Sequence, residues 1–320
     1  MTVLIFLILV LAAMRSLTVG VFHDEALGKE LGKKGTLSDF AMYHKKADDI
    51  IFTFMSPVEE KLAAKSEILT AIDAAVVVFS QLTRELGETI IMLDLMGITE
   101  GFAVTTPYAA PDQIVSLTKG STVNSFHIEQ KDPGKLLELL KQINPARDSN
   151  SPVLVVVDHS FSVKGVGEVV LGFVKRGVVR RYDKLMLLPA RKEVIVRSVQ
   201  VQDEDWESAE AGTRVGLAIK GANLEELERG AVLTASSETR ASTKLSLSFR
   251  KSSFYVDDVR EGIFHATIGM QTEPVTLGDV KSGAIGIESS KSFVYEPKDT
   301  ALMLDLNAKK TRVVGNGVIQ

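Results

Sequence analysis

The sequence predicts an α/β domain followed by two β-barrels. Apolar strand-like runs alternate with helical runs as far as Ile143, the alternation of a parallel α/β domain. Asn144 to Pro152 (NPARDSNSP) then gathers Asn, Pro, Asp and Ser, the composition of a linker. Beyond it the chain breaks into short strand-like runs divided by Gly and Pro, which is the all-β pattern. These breaks give a first domain over 15–147, a second over 148–238 and a third over 239–320.

In the first domain, SLTVGVF at Ser16 to Phe22 marks where folded structure begins. GKELGKKG, Gly28 to Gly35, carries helix-forming residues after a Gly-Lys pair, and DIIFTF is a buried strand. VEEKLAAKSEILTAI repeats apolar residues at helical spacing, AAVVVFS is a second buried strand and LTRELGETIIMLDLMG a second helix. GFAVTT is a third strand, and DPGKLLELLKQI a helix opened by Asp-Pro. The second domain offers SPVLVVVDHSFSV, GEVVLGFVKRGVV, DKLMLLPA, KEVIVRSVQV and RVGLAIKG. The third offers TKLSLSFR, SSFYVDD, GIFHATIGM, QTEPVTLG, GAIGIESS, KSFVYEP, TALMLDL and TRVVGNGVI.

With 45% hydrophobic and 24% charged residues in 320, the composition is that of a soluble globular protein of two or three domains. A net charge of −4 argues against wholesale wrapping of nucleic acid, since phosphate-dominated binding needs a basic excess, though it leaves room for a local patch. No cysteine is present, which removes disulfides and thiolate chemistry and fits a reducing compartment. The five histidines, His23, His44, His127, His159 and His265, are scattered, so no metal centre is expected. Thr2 to Met14 is an uncharged apolar run of thirteen residues, short of the roughly 18–20 that cross a bilayer. Within the leader assigned to 1–14, three readings stay open: a start at Met14 with an extra segment ahead of it, a weak anchor, or a secretion signal without the usual basic residues.

Four ordered pieces in Val155 to Leu233 resemble the second domain of the translation elongation factor Tu superfamily. They are Asp-His-x-Phe-x-Val-x-Gly-x-Gly (Asp158 to Gly167), Gly-x-Val-Lys-Arg-Gly (Gly172 to Gly177), Ala-Gly-x-Arg-Val-Gly (Ala211 to Gly216) and Glu-Arg-Gly-x-Val-Leu (Glu228 to Leu233). Glycines beside apolar runs are also what tight barrel turns require. Asp-His at the opening and Arg before Val-Gly look most like the archaeal selenocysteine-specific factor. The resemblance implies a P-loop-GTPase-like first domain and elongation-factor barrels behind it.

Laid on a GTPase, the first domain departs at each checkpoint. A phosphate-binding loop needs Gly-x-x-x-x-Gly-Lys-[Ser/Thr], whose backbone N–H groups cradle phosphates and whose hydroxyl holds Mg²⁺. The chain has HDEALGKE: Gly28 and Lys29 remain as a vestigial nucleotide loop, His23 replaces the first glycine and Glu30 the hydroxyl. Asp24, Glu25 and Glu30 put carboxylates where triphosphate would sit. The Asp-x-x-Gly segment matches Met55 to Val58, and the guanine-reading Asn/Thr-Lys-x-Asp segment matches Thr105 to Tyr108. Lys29 to Met55 is also too short for a full first switch region. The expectation is a pseudo-GTPase that has lost GTP and Mg²⁺.

In that family the second domain holds the aminoacylated 3′ end of tRNA, which implies a pocket of Asp158, His159, Phe161, Gln200 and Arg214. Its charges would suit an acidic selenol or another polar aminoacyl group; each residue alone favours a structural role, with Arg214 pairing Asp158, and only their joint occurrence at family positions brings the binding reading level with it. Lys175, Arg176, Arg180, Arg181, Arg191 and Lys192, with Lys184 and Arg197, form a basic stretch that reads as an RNA-phosphate patch or as a solvated hairpin. The acidic run Asp203 to Glu210 reads as a loop, with Trp206 packed or exposed. The implied partners are aminoacyl-tRNA or the ribosome in the cytoplasm, with another elongation factor open as a partner of the first domain; DNA and membrane are not expected. A working GTPase with an unorthodox site is the competing reading. Selenocysteine factors also carry a further domain, for which the chain past the third domain leaves no room, and this sets selenocysteine delivery in doubt.

Overall fold

The computed structural model describes residues 14–107, 109–281 and 283–320, so the calls on residues 1–13 of the leader and on Tyr108 lie outside the described residues. The first domain runs β1 (Arg15–Phe22), α1 (Glu25–Leu31), β2 (Lys33–Leu37), β3 (Phe40–Ala47), β4 (Ile50–Pro57), α2 (Leu62–Ala71), β5 (Ala74–Phe79), α3 (Arg84–Leu95), β6 (Gly101–Thr105), α4 (Pro111–Thr118), β7 (His127–Gln130) and α5 (Pro133–Leu140). The sheet order is β2-β3-β4-β1-β5-β6-β7. Five strands are parallel, with β1 between β4 and β5. β4 and β5 are buried at every residue because both sheet faces are covered, which is why they read as unbroken apolar runs. Leu27, Leu31, Leu136 and Leu140 from α1 and α5 share one core, while Ile68, Leu86 and Ile90 from α2 and α3 belong to another.

Two expectations need correction here. The sheet is mixed, because β3 runs antiparallel to β4, and β2 to β3. The helix at Gly28 to Gly35 stops at Leu31, where Gly32 turns extended at φ −154° and the chain enters the β2–β3 hairpin. α4 had no counterpart in the sequence reading; Pro111 sits in its first turn, and the Gln113 side chain accepts the Ala110 N–H at 3.0 Å.

The 144–152 stretch has no helix or strand, and Arg147 ties it back through a 2.7 Å ion pair to Asp73. The second domain comprises β8 (Leu154–Val163), β9 (Gly167–Arg176), β10 (Val178–Arg180), β11 (Lys184–Leu188), β12 (Lys192–Val201), β13 (Glu204–Trp206), β14 (Ser208–Glu210), β15 (Arg214–Lys220) and β16 (Val232–Thr234). The order β11-β16-β8-β9-β15-β12, with β12 returning to β11, closes a six-stranded barrel. The acidic run read as a loop instead forms β13 and β14, and half-buried Trp206 packs on the barrel core. Backbone pairing at a barrel edge is indifferent to the charge of outward side chains, so composition misled there.

The third domain is a closed barrel of β17 (Arg240–Lys251), β18 (Gly262–Ile268), β19 (Gln271–Lys281), β20 (Ala284–Tyr295), β21 (Thr300–Leu304) and β22 (Val313–Ile319). Eight expected runs reduce to six strands. GAIGIESS and KSFVYEP join as β20, and SSFYVDD is irregular because the chain turns to bury Tyr255, whose hydroxyl donates to Asp305 at 2.8 Å.

A single apolar cluster runs through all three domains, from Phe22, Phe40 and Ile68 through Val156 and Phe173 to Met270, Leu302 and Val313. Charged groups reinforce it. Arg229 of the second domain bonds Asp39 at 3.0 Å and Glu67 at 3.1 Å and lies over the Phe40 ring. The fully buried Glu88 carboxylate of α3 accepts the Arg312 backbone N–H and guanidinium. Arg176 and Glu296 pair the two barrels. Among the described residues no helix is long and apolar enough to cross a membrane.

Candidate functional site

Two regions hold the residues singled out in the sequence. The first is the corner where β1 meets α1. β1 ends at Phe22 and α1 begins at Glu25, so of HDEALGKE only His23 and Asp24 lie between strand and helix. Asp24 caps the helix by accepting the Leu27 N–H at 3.0 Å and takes the Lys131 ammonium at 2.6 Å. Gly28 lies inside α1, where a Cβ would stand 2.9 Å from the Tyr43 ring and from Ser56 Oγ; close packing of the helix explains the glycine. Lys29, one turn further, is exposed and pairs with Glu25 at 2.9 Å. Glu30 comes within 3.7 Å of Lys131.

Behind this corner lies a closed polar cluster. Lys65 of α2 is 1% exposed, its ammonium held by the Glu60 carboxylate and by Thr89 Oγ1 at 3.2 Å. His23 Nε2 lies 2.9 Å from the same Thr89 hydroxyl, and Nδ1 lies 3.3 Å from Glu60. Burial, then the neighbouring Lys65, holds the His23 pKa at about 4, and burial lowers that of Lys65. His23, Glu59 and Glu60 all sit at positive φ, 66°, 59° and 51°. Met55, Ser56 and Pro57 finish β4 as buried residues, ahead of Val58, so the Met55 to Val58 segment runs straight into this cluster.

The second region is a cavity of about 650 Å³ between the β2–β3 hairpin and the second domain's barrel. His159, Phe161, Gln200 and Arg214 line it, and Asp158 stands directly behind Arg214, so the structure brings all five expected pocket residues together. The register of β8 against β9 shifts between Val157 and His159, and such a bulge re-aims the side chain it carries. Asp158 thereby becomes 1% exposed and accepts from Arg214 Nε at 2.7 Å and Nη2 at 3.1 Å. The His159 and Phe161 rings contact each other at 5.9 Å between centroids, and Phe161 remains 37% exposed. Gln200 donates to Asp205 at 2.9 Å.

The first domain supplies the facing wall, which the sequence reading missed. Thr36 Oγ1 of β2 lies 3.3 Å from Arg214 Nη2, and His44 Nε2 of β3 lies 3.4 Å from Nη1. Burial, then the Arg214 charge, holds the His44 pKa at about 4. The ring is therefore neutral near pH 7. Its Nε2 faces a donor, which assigns the proton to Nδ1, 3.5 Å from Thr53 Oγ1. Gln202 and Asp203 complete the wall, and Gln202 Nε2 is enclosed with no hydrogen-bond partner.

The basic stretch does not form one patch. Lys175 donates to the Thr70 carbonyl at 2.6 Å, and Arg176 pairs with Glu296, so both serve domain junctions. Arg181 is matched by Glu207, Lys184 by Glu193 and Lys192 by Glu226. Arg180, Arg191 and Arg197 are exposed and, among the described residues, their guanidinium groups have no carboxylate within 4.0 Å. Nor do the described residues contain three histidine or acidic side chains that could hold a metal ion together.

Comparison with known proteins agrees with this architecture. The family model for elongation factor Tu domain 2 matches residues 167–234. An uncharacterized protein of Methanocaldococcus jannaschii is 34% identical over 308 residues, covering 95% of this chain and 99% of the relative. The selenocysteine-specific elongation factor of the same organism is 34% identical over 168 residues, 47% of this chain and 36% of that protein. Among solved structures, translation elongation factor SelB from Methanococcus maripaludis with the GTP analogue GppNHp superposes with a TM-score of 0.81 at 22% identity, covering 96% of this chain and 79% of that one. Its apo form gives 0.79 at 22% identity, with 96% and 80% covered. A bacterial selenocysteine-specific elongation factor gives 0.79 at 17% identity, covering 96% of this chain and 58% of that one. The chain belongs to one family with the uncharacterized Methanocaldococcus jannaschii protein, and its second domain matches elongation factor Tu domain 2.

Proposed function

We propose that this is an elongation-factor-like translation protein of the cytoplasm that holds the acylated 3′ end of a tRNA, or a ribosomal surface presenting one, without binding or hydrolysing GTP. The observation that carries this reading is the open cavity at Phe161 and Arg214 beside a nucleotide corner where Lys65 is bonded to Glu60 and Thr89. A volume of about 650 Å³ falls within the usual range for a small ligand. The residues at the corner do not fit a magnesium nucleotide. A phosphate cradle needs several backbone N–H groups turned inward from a loop, whereas only two residues, His23 and Asp24, separate β1 from α1, and Asp24 takes the Leu27 N–H. Glu30 stands where a hydroxyl would meet the metal, Met55 where a carboxylate would, and Lys29 is turned to Glu25.

The three-domain apolar core and the Arg229, Arg176 and Arg312 ion pairs favour a fixed arrangement over one that alternates with nucleotide state. In this reading the first domain supplies the Thr36 and His44 wall of the cavity. Titrating the protein with a fluorescent GTP analogue and Mg²⁺ tests it: no saturable signal is expected up to about 100 µM, well into the range of common enzyme–substrate affinities, and micromolar binding overturns the reading. Sequencing the RNA that co-purifies should return tRNA or ribosomal RNA.

A further inference from the structure

We infer that the cavity selects an uncharged, mainly apolar aminoacyl side chain and turns away an anionic one; this rests on the reading that an acylated 3′ end enters there. The sequence had suggested a charged pocket suited to an acidic group. The geometry removes that charge.

Besides its histidines, the cavity is lined by two ionisable side chains, Arg214 and Asp203, and Arg214 is spent. Its Nε and Nη2 hold both oxygens of the Asp158 carboxylate, Nη2 also meets Thr36, and Nη1 faces His44. The Arg214 side chain is 9% exposed and that of Asp158 0%, so the pair presents no net charge to a ligand. His44, with its Nε2 accepting, is a neutral ring. What remains is the Asp203 carboxylate at the exposed rim, which repels an anion. An anionic side chain entering here would leave water without gaining a counter-cation.

The walls are apolar, with Ile51, Val163, Val169, Leu171 and Ala218 facing the space. Among them stands the Gln202 amide, whose Nε2 is enclosed and unbonded. A buried polar group without a partner is uncommon, and because Nε2 is covered it would meet a ligand only after the side chain turned. The amide offers a donor and an acceptor, both neutral, so an uncharged polar end completes it.

The test uses the full chain and one tRNA chemically acylated with leucine, glutamine, glutamate or lysine, beside the deacylated form, titrated without nucleotide. Glutamine and glutamate differ in charge at nearly constant shape. Glutaminyl-tRNA should bind roughly tenfold or more tighter than glutamyl-tRNA, as expected when like charges meet in a partly dry site. Asp203→Asn should narrow that gap several-fold, and Gln202→Leu should bring the glutaminyl form down towards the leucyl one. Glutamyl- or lysyl-tRNA binding as tightly as glutaminyl-tRNA overturns the selectivity and leaves the proposed function standing. If no acylated form binds better than the deacylated one, the proposed function itself fails and the selectivity falls with it.

Discussion

The corner between β1 and α1 and the cavity across the first two domains are both polar, and they differ in what their polar groups do. At the corner, His23, Glu60, Lys65 and Thr89 satisfy one another, and Asp24 is taken up by a backbone N–H and by Lys131. At the cavity, Arg214 and Asp158 are satisfied internally, yet the Gln202 amide is unbonded and Phe161 faces open space. Ser56 Oγ at the corner is also without a partner, so what sets the cavity apart is the room beside its orphaned group. The corner carries the buried Lys65 ammonium and its complementary Glu60 carboxylate.

The comparison can be broken by mutation, and the largest effect is expected at Arg214. Arg214→Ala leaves the Asp158 carboxylate buried without its partner, a loss of about 3–5 kcal/mol by analogy with other broken buried pairs. Urea unfolding should show it. Acylated tRNA binding should weaken tenfold or more, and replacing Asp158 by Asn in the same chain should recover much of the stability but not the binding. At the corner, Lys65→Ala should cost about 2–3 kcal/mol, less than a fully enclosed pair because the Glu60 side chain is 41% exposed and can be resolvated. Binding of acylated tRNA should then be unchanged, which separates the two regions.

Acid should sharpen the comparison further. His23 and His44 have folded pKa values of about 4 against 6.5 unfolded. The unfolded chain therefore takes up protons first as pH falls, and stability rises with pH between about 4 and 6.5 and is fully present above that window. Each histidine should contribute about 3 kcal/mol, and substituting either by Gln should remove its share of the slope. Histidine NMR signals should show acylated tRNA shifting His44 and leaving His23 in place. The smallest effect is expected for Lys29→Ala, which should leave the unfolding midpoint unchanged because the side chain is exposed and meets only Glu25.

Much of this organisation was legible in the sequence. β4 and β5 announce themselves as unbroken apolar runs because helices cover both of their faces. The β2–β3 hairpin was hidden, since helix-forming residues continue past Leu31 and only the extended Gly32 ends the helix. The five barrel residues of the cavity were legible because their motif spacing travels with one domain. Thr36 and His44 were not, as they reach Arg214 from 178 and 170 residues away. Gln202 and Asp203 were hidden by a turn at φ 49° and 65° that sequence does not mark.

The central claim is recognition without a nucleotide switch, and its most direct test is the affinity of the protein for an acylated tRNA measured with and without a magnesium GTP analogue. The same affinity under both conditions is the expected result; a change of tenfold or more on adding the nucleotide would contradict it.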